Sequence, residues 1–139
     1  MAQQETWPEN IDVVQLRIAR PTARFDEVVA FYRDAVGLPV IGSFSGHAGY
    51  SAVFLGLPGR ACHLSILRRP DNAPGLAPTG DNLLVLYIPD RDHLARLEAR
   101  MAAHGHRPVE PDNPYWRDKG PTYADPDGWR VVLCGTSGI

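Results

Sequence analysis

The stretch YADPDGWRVVLCG, Tyr123 to Gly135, decides the fold of this 139-residue chain. Asp-Pro-Asp-Gly makes a tight turn. The residues behind it alternate as a strand does, with Trp129, Val131 and Leu133 on one side and Arg130, Val132 and Cys134 on the other. Much earlier, LPGRA leads into CHLSIL, 62–67, in the same way. Gly59 and Gly128 therefore each precede a closing strand, and Gly37 and Gly105, separated by nearly the same interval, each end a helical pattern. The chain is one unit written twice.

Working outward, IDVVQLRIA, 11–19, has the β-branched richness of a strand. ARFDEVVAFYRDAV follows with Phe25, Val28, Val29, Tyr32, Ala35 and Val36 at helical spacing. Thr22 is its expected N-cap, Asp26 and Glu27 suit the first turn, and Gly37 suits a left-handed C-terminal cap. Two short strands are expected at 39–45 and 50–55, around the turn GHAG. Residues 68–81, RRPDNAPGLAPTGD, have no periodicity and read as a linker. The order then repeats: strand NLLVLYI at 82–88, helix RDHLARLEARMAA at 91–103 capped by Asp90, short strands RPVE and PTYA, and the closing strand. The expected architecture is α+β: two tandem βαβββ modules, 11–67 and 82–139, behind a loose tail, 1–10. They form a curved mixed sheet with helices on the convex face.

Strand parity separates the two faces. Val14, Leu16, Ile18, Cys62, Leu64, Ile66, Leu84, Leu86, Ile88, Trp129, Val131 and Leu133 form apolar sets suited to lie under helices. The opposite sets mix Val13, Gln15, Arg17, His63, Ser65, Leu67, Leu83, Val85, Tyr87, Arg130, Val132 and Cys134, and are expected to face the open side.

Composition sets outer limits. With 44% hydrophobic and 22% charged residues and a net charge of −2, the chain has no general basic field for nucleic acid or anionic lipid. No apolar run approaches the roughly 20 residues that span a bilayer, and MAQQETWPEN lacks a secretory pattern. Cys62 and Cys134 have neither zinc-type spacing nor the density of a disulfide scaffold. The expectation is a reduced cytoplasmic protein without nucleic-acid or membrane partners.

LRIA followed by FYRDAVGL in the first module, and YADPDGWRVVL in the second, resemble the vicinal oxygen chelate superfamily of glyoxalase I, bleomycin-resistance proteins and extradiol dioxygenases. RIARP, GHAGY and NPYW are similar to a small glyoxalase-like bacterial subgroup. The resemblance implies that modules pair across chains in a homodimer. It also implies a metal site with one His or Glu from each of four strands, at positions that here hold Val13, Ser65, Leu83 and Val132. None is a usual ligand for a divalent ion. The expectation is no cofactor, and a metal-independent binder of a small anionic or aromatic molecule, with Gln15, Arg17, His63, Ser65, Tyr87 and Arg130 as its contacts. The alternative is a metal-dependent lyase or dioxygenase of the same superfamily with unconventional ligands, such as His47 or His63 with a loop acid.

Other residues leave alternatives open. Arg17 and Arg130 could clamp a carboxylate or phosphate, or could reach solvent and pair with loop acids. His63 could be a general base or a cleft histidine, and Cys134 its nucleophile partner or a buried thiol. Tyr115 and Trp116 could wall a ligand or anchor their loop. His104 and His106 suit a helix C-terminus without any metal.

Overall fold

The computed structural model describes residues 8–59 and 61–139; most of the tail, 1–7, lies outside the described residues. Seven strands and two helices follow in the order β1 (Leu16–Pro21), α1 (Phe25–Ala30), β2 (Val40–His47), β3 (Tyr50–Gly56), β4 (Cys62–Arg68), β5 (Leu83–Tyr87), α2 (Arg91–Ala103), β6 (Thr122–Ala124) and β7 (Arg130–Cys134). One sheet has the order β1-β4-β3-β2 and the other β5-β7-β6; β1–β4 and β5–β7 are parallel and the remaining pairs antiparallel. This is the expected α+β duplication, divided into two sheets.

Three local details differ from expectation, each for a physical reason. The first strand begins at Leu16, not at residue 11, because its neighbour begins at Cys62, the partner of Leu16, and residues 11–15 have no ladder partner among the described residues. Thr22 does not cap α1. Its hydroxyl accepts from the Arg24 N–H in a local turn at 2.9 Å, and Arg24 takes the N-cap place without a side-chain bond. In the second module, RPVE contributes only an isolated bridge between Val109 and Thr122. Pro108, Pro111 and Pro114 cannot donate to a ladder, so pairing cannot spread from it.

The expected caps elsewhere are present. Past Ala30 the first helix widens into a π turn, Phe31–Val36, and Gly37 ends it in the left-handed region at φ 88°. The Asp90 carboxylate accepts from the N–H groups of Asp92 and His93 at the start of α2. The Asp-Pro-Asp-Gly turn is held by Asp125, whose Oδ1 accepts from the N–H of Asp127 at 2.8 Å and of Trp129 at 3.1 Å.

Most of the apolar parity sets lie under the helices, but Val14 and Leu16, at and ahead of the start of β1, are 76% and 48% exposed, and Trp129 packs against Arg20 and the Gly75 carbonyl instead. Leu55, Leu64 and Ile66 of the first sheet share one core with Val131 and Leu133 of the second, with Val28, Phe31 and Tyr32 of the first helix and with Met101 of α2. A polar latch joins the modules inside this core. The Tyr32 hydroxyl, fully buried, donates to Asp125 Oδ2 at 2.6 Å and accepts from Arg20 Nη1 at 3.2 Å. Arg20 also covers the Trp129 ring at 4.4 Å. Burial, then the neighbouring carboxylate, pushes the Tyr32 hydroxyl well above the usual phenol range. Burial also raises Asp125, against the lowering effect of the hydrogen bonds it accepts.

The segment between modules is a fixed strap. Trp129 Nε1 donates to the Gly75 carbonyl at 2.8 Å, and the Ala77 N–H donates to the Asp127 carbonyl at 3.0 Å. A Cβ on Gly75 would lie 1.8 Å from the Pro21 carbonyl oxygen, so only glycine permits that approach. Beside β5 runs an apolar trench of about 530 Å³, walled by Leu84, Leu86, Leu97, Val36, Leu38 and Cys62.

Candidate functional site

The open face of the first sheet is laid out in three cross-strand rows. Arg17, His63 and Gly56 form one; Ala19, Ser65, Phe54 and Gly42 the next; Pro21, Leu67, Ala52 and Phe44 the third. Small residues make a floor, and Arg17, His63, Phe54 and Phe44 stand on it. Parity thus brings together three of the expected contacts, Arg17, His63 and Ser65.

Arg17 is held from two sides. Its Nε donates to His63 Nε2 at 3.0 Å, and its guanidinium carbon lies 4.4 Å from the centroid of the Phe54 ring. Both partners are uncharged surfaces for a cation: an imidazole lone pair and an aromatic face. No carboxylate pairs with Arg17 among the described residues. Its charge is positioned and uncompensated.

The same contact fixes the histidine. A guanidinium only donates, so Nε2 supplies the lone pair and the ring hydrogen sits on Nδ1. His63 is 3% exposed, and Nδ1 has no hydrogen-bond partner. Leaving such a donor unpaired costs about 1–3 kcal/mol. Ser65, equally buried, lies in the neighbouring row. Gln15 stands ahead of β1 and lines a cleft of about 480 Å³ with Pro39, Val40, Ile41, Gly56 and Leu57.

Tyr87 and Arg130 belong to the other sheet, where Leu83 pairs with Arg130, Val85 with Val132 and Tyr87 with Cys134. Arg130 differs from Arg17 in having partners: its Nη1 donates to the Glu110 carbonyl at 3.1 Å and approaches Asp112 at 3.4 Å. Tyr87 is 44% exposed. Thr122, opposite Val132, has a buried hydroxyl without a partner. No hydrogen bond joins Tyr87 or Arg130 to the Arg17 cluster among the described residues. Cys134 and His63 lie on separate sheets, and Cys134 Sγ faces the Thr136 hydroxyl at 3.4 Å, so they form no nucleophile pair. Tyr115 is 57% exposed and packs edge-on against Trp116 in a 3-10 turn outside both sheets.

The superfamily's metal does not fit the donors present. Val13 precedes β1 and is exposed, Leu83 and Val132 offer no donor atom, and Ser65 offers one hydroxyl. Among the described residues no three His, Cys, Asp or Glu side chains gather where they could hold an ion. His47 and His63 each pack against a phenylalanine ring instead.

Two phenylalanines of this face were not singled out from sequence. Phe44 and Phe54 sit on the hairpin β2–β3, whose parity decides their side as it does for the other strands. Extending the same alternation through SFSG and SAVFLG places both with Arg17 and His63.

Comparison with known proteins gives a consistent picture. Residues 16–66 match the YycE-like N-terminal domain and residues 81–135 the YycE-like C-terminal domain. An uncharacterized protein, YycE of Bacillus subtilis (strain 168), is 40% identical over 130 residues, covering 94% of each chain. A crystal structure of a YycE protein of unknown function from Bacillus subtilis superposes with a TM-score of 0.89 at 38% identity, covering 97% of this chain and 98% of that one. At 16% identity, the fosfomycin resistance protein FosX from Listeria monocytogenes shares the fold with a TM-score of 0.66, covering 87% of this chain and 90% of its own. TnmS3, an antibiotic binding protein from Streptomyces sp. CB03234, shares it at 23% identity with a TM-score of 0.58, covering 89% and 95%. The chain belongs to the YycE-like family, within the vicinal oxygen chelate superfamily.

Proposed function

We propose that this protein binds a small anionic or aromatic molecule on the open face of its first sheet, without a metal. The observation that carries the proposal is Arg17: a guanidinium fixed by His63 and Phe54, with no acid beside it among the described residues. Its Nε is occupied, so its two terminal nitrogens remain to pair with a carboxylate, phosphonate or phosphate. His63 Nδ1 and the Thr122 hydroxyl are buried polar groups without partners, as expected where ligand atoms or ordered water complete the bonding. Gln15, Ser65, Tyr87 and Arg130 supply further polar contacts in this scheme. TnmS3, of the same fold, is an antibiotic binding protein, in keeping with a binding role.

The second sheet reaches the ligand through a second copy of the chain. β1 and β5 each end a sheet with one unpaired edge, and Leu16 and Tyr87 on them are 48% and 44% exposed. Unpaired apolar edges invite strand addition. Joining β1 of one copy to β5 of another would make one curved sheet, with Arg17 and His63 on one side and Tyr87, Arg130 and Thr122 on the other. Light scattering behind size exclusion tests this: twice the chain mass is expected, and a monomer at micromolar concentration sinks it.

The binding test uses benzoate and phenylphosphonate with the full chain, in calorimetry and thermal shift. Arg17→Ala should weaken both by roughly ten- to a hundredfold, the range for a charged hydrogen-bonding partner, and Arg17→Lys should recover only part. Equal affinity in wild type and Arg17→Ala removes Arg17 from the site.

A further inference from the structure

An aromatic row leads away from Arg17 across the open face. The rings of His63 and Phe54 are 5.8 Å apart, those of Phe54 and Phe44 5.9 Å, and those of Phe44 and His47 6.2 Å. The row crosses from β4 through β3 to β2, and Arg17 covers Phe54 near its inner end. Its placement depends on glycine. Gly42 pairs with Phe54, and a Cβ there would lie 3.0 Å from Phe54 Cδ2, so even a methyl group at residue 42 would press on the ring where it extends over β2. Ala19, Ser65 and Ala52 keep the floor low on either side.

Cross-strand aromatic pairs stabilise sheets in many proteins. That role alone would not require Phe44 to remain 39% exposed, nor set a guanidinium without an acid at one end of the row. The rings meet at 68°, 53° and 87°, edge-on or tilted, so neighbouring rings do not cover each other's faces by parallel stacking.

We infer that the ligand class is a planar, multi-ring aromatic acid, its acid group on the terminal nitrogens of Arg17 and its rings lying along Phe54 and Phe44. The row selects rings over flexible chains because a flat, rigid body meets flat side chains with little conformational entropy to lose. The inference rests on Arg17 as the anion-binding residue, and its test separates the two.

The full-length protein is titrated with benzoate, 2-naphthoate and 2-anthroate, and with decanoate as a flexible acid. Affinity is expected to rise roughly tenfold with each added ring, with decanoate well below 2-anthroate. Phe44→Leu, which keeps apolar bulk on an edge strand, should flatten that gradient. Gly42→Val, which displaces Phe54, should flatten it too, with circular dichroism confirming the fold. If all three aromatic acids bind equally through Arg17, or decanoate matches 2-anthroate, the ring row has no such role while the Arg17 site survives. If no acid binds wild type better than Arg17→Ala, both fall.

Discussion

Removing one hydroxyl from Tyr32 tests how the two modules are held together. The Tyr32 O–H is the only donor to Asp125 Oδ2 among the described residues, at 2.6 Å in a buried setting, while Oδ1 keeps two backbone donors. In Tyr32→Phe the ring still fills its place, but one carboxylate oxygen is left without a partner. Hydrogen bonds to charged groups contribute about 1.5–3 kcal/mol. Arg20, whose Nη1 lies 3.2 Å from the lost oxygen, can turn toward the carboxylate and offset part of this, so the lower half of that range is expected. For a domain of this size, that is a drop of roughly 5–8 °C in Tm. The sign with pH follows from Asp125. Its pKa is raised in the folded state, so its contribution is fully present below the unfolded value and is lost as pH rises through the folded one. Without the hydroxyl the folded pKa rises further, and the deficit of Tyr32→Phe should be small near about pH 4 and largest near neutrality. Urea unfolding of both proteins at the two pH values is the assay. A deficit under about 0.5 kcal/mol at neutral pH, or one that shrinks as pH rises, would refute the latch.

Three further outcomes follow from the same geometry. Asp125→Asn keeps the two backbone bonds at Oδ1 and removes the buried charge, so its stability relative to wild type should improve steadily from about pH 4 to pH 7; parallel unfolding curves across that range would count against it. Gly75→Ala sets a Cβ against the Pro21 carbonyl and should cost about 1–3 kcal/mol in urea unfolding, and an unchanged midpoint would mean the strap is loose. Protein purified without chelator or affinity tag should contain far less than one equivalent of zinc, iron, manganese or nickel by elemental analysis, and excess chelator should leave benzoate binding unchanged. Near one equivalent would move the metal-dependent alternative ahead.

The sequence carried the fold further than it carried the site. Tandem glycines, two helical patterns and alternating strands depend on local chemistry, which a linear reading captures. β4, α2 and β7 consequently fall within a residue or two of expectation, or on it. The misses arise where a residue's role depends on a distant neighbour. Residues 11–15 have strand-like composition, but β4 supplies no partner ahead of Cys62. Thr22 is a good N-cap type that instead closes the turn after β1. At the site, parity placed Arg17 with His63 correctly. It could not show that Arg130 is engaged by Glu110 and Asp112 while Arg17 is not, because that difference depends on where a long proline-rich loop lands. Asp125 looked like a turn residue and is one. Its second role, bonding Tyr32 across the module boundary, has no local signature at all.

The missing metal ligands and the uncompensated arginine are not independent facts. Ser65, at one of the positions where the resemblance implies a metal ligand, lies two residues from His63 on the same strand face, and so on the order of 7 Å from the row that carries Arg17. A divalent cation at that distance from a guanidinium would be repelled by about 5 kcal/mol at an effective dielectric of about 20. That is a loss of more than a thousandfold in affinity, with no imidazole or carboxylate at Val13, Leu83 or Val132 to offset it. The same field favours an anion: at about 4 Å under the same dielectric, the attraction is about 4 kcal/mol before desolvation. Apolar side chains at Val13, Leu83 and Val132 and a pinned arginine nearby therefore act in one direction. On the proposed binding reading, both favour an anion over a cation on this face. Restoring a single His or Glu at Ser65 would not recover metal binding while Arg17 stays in place.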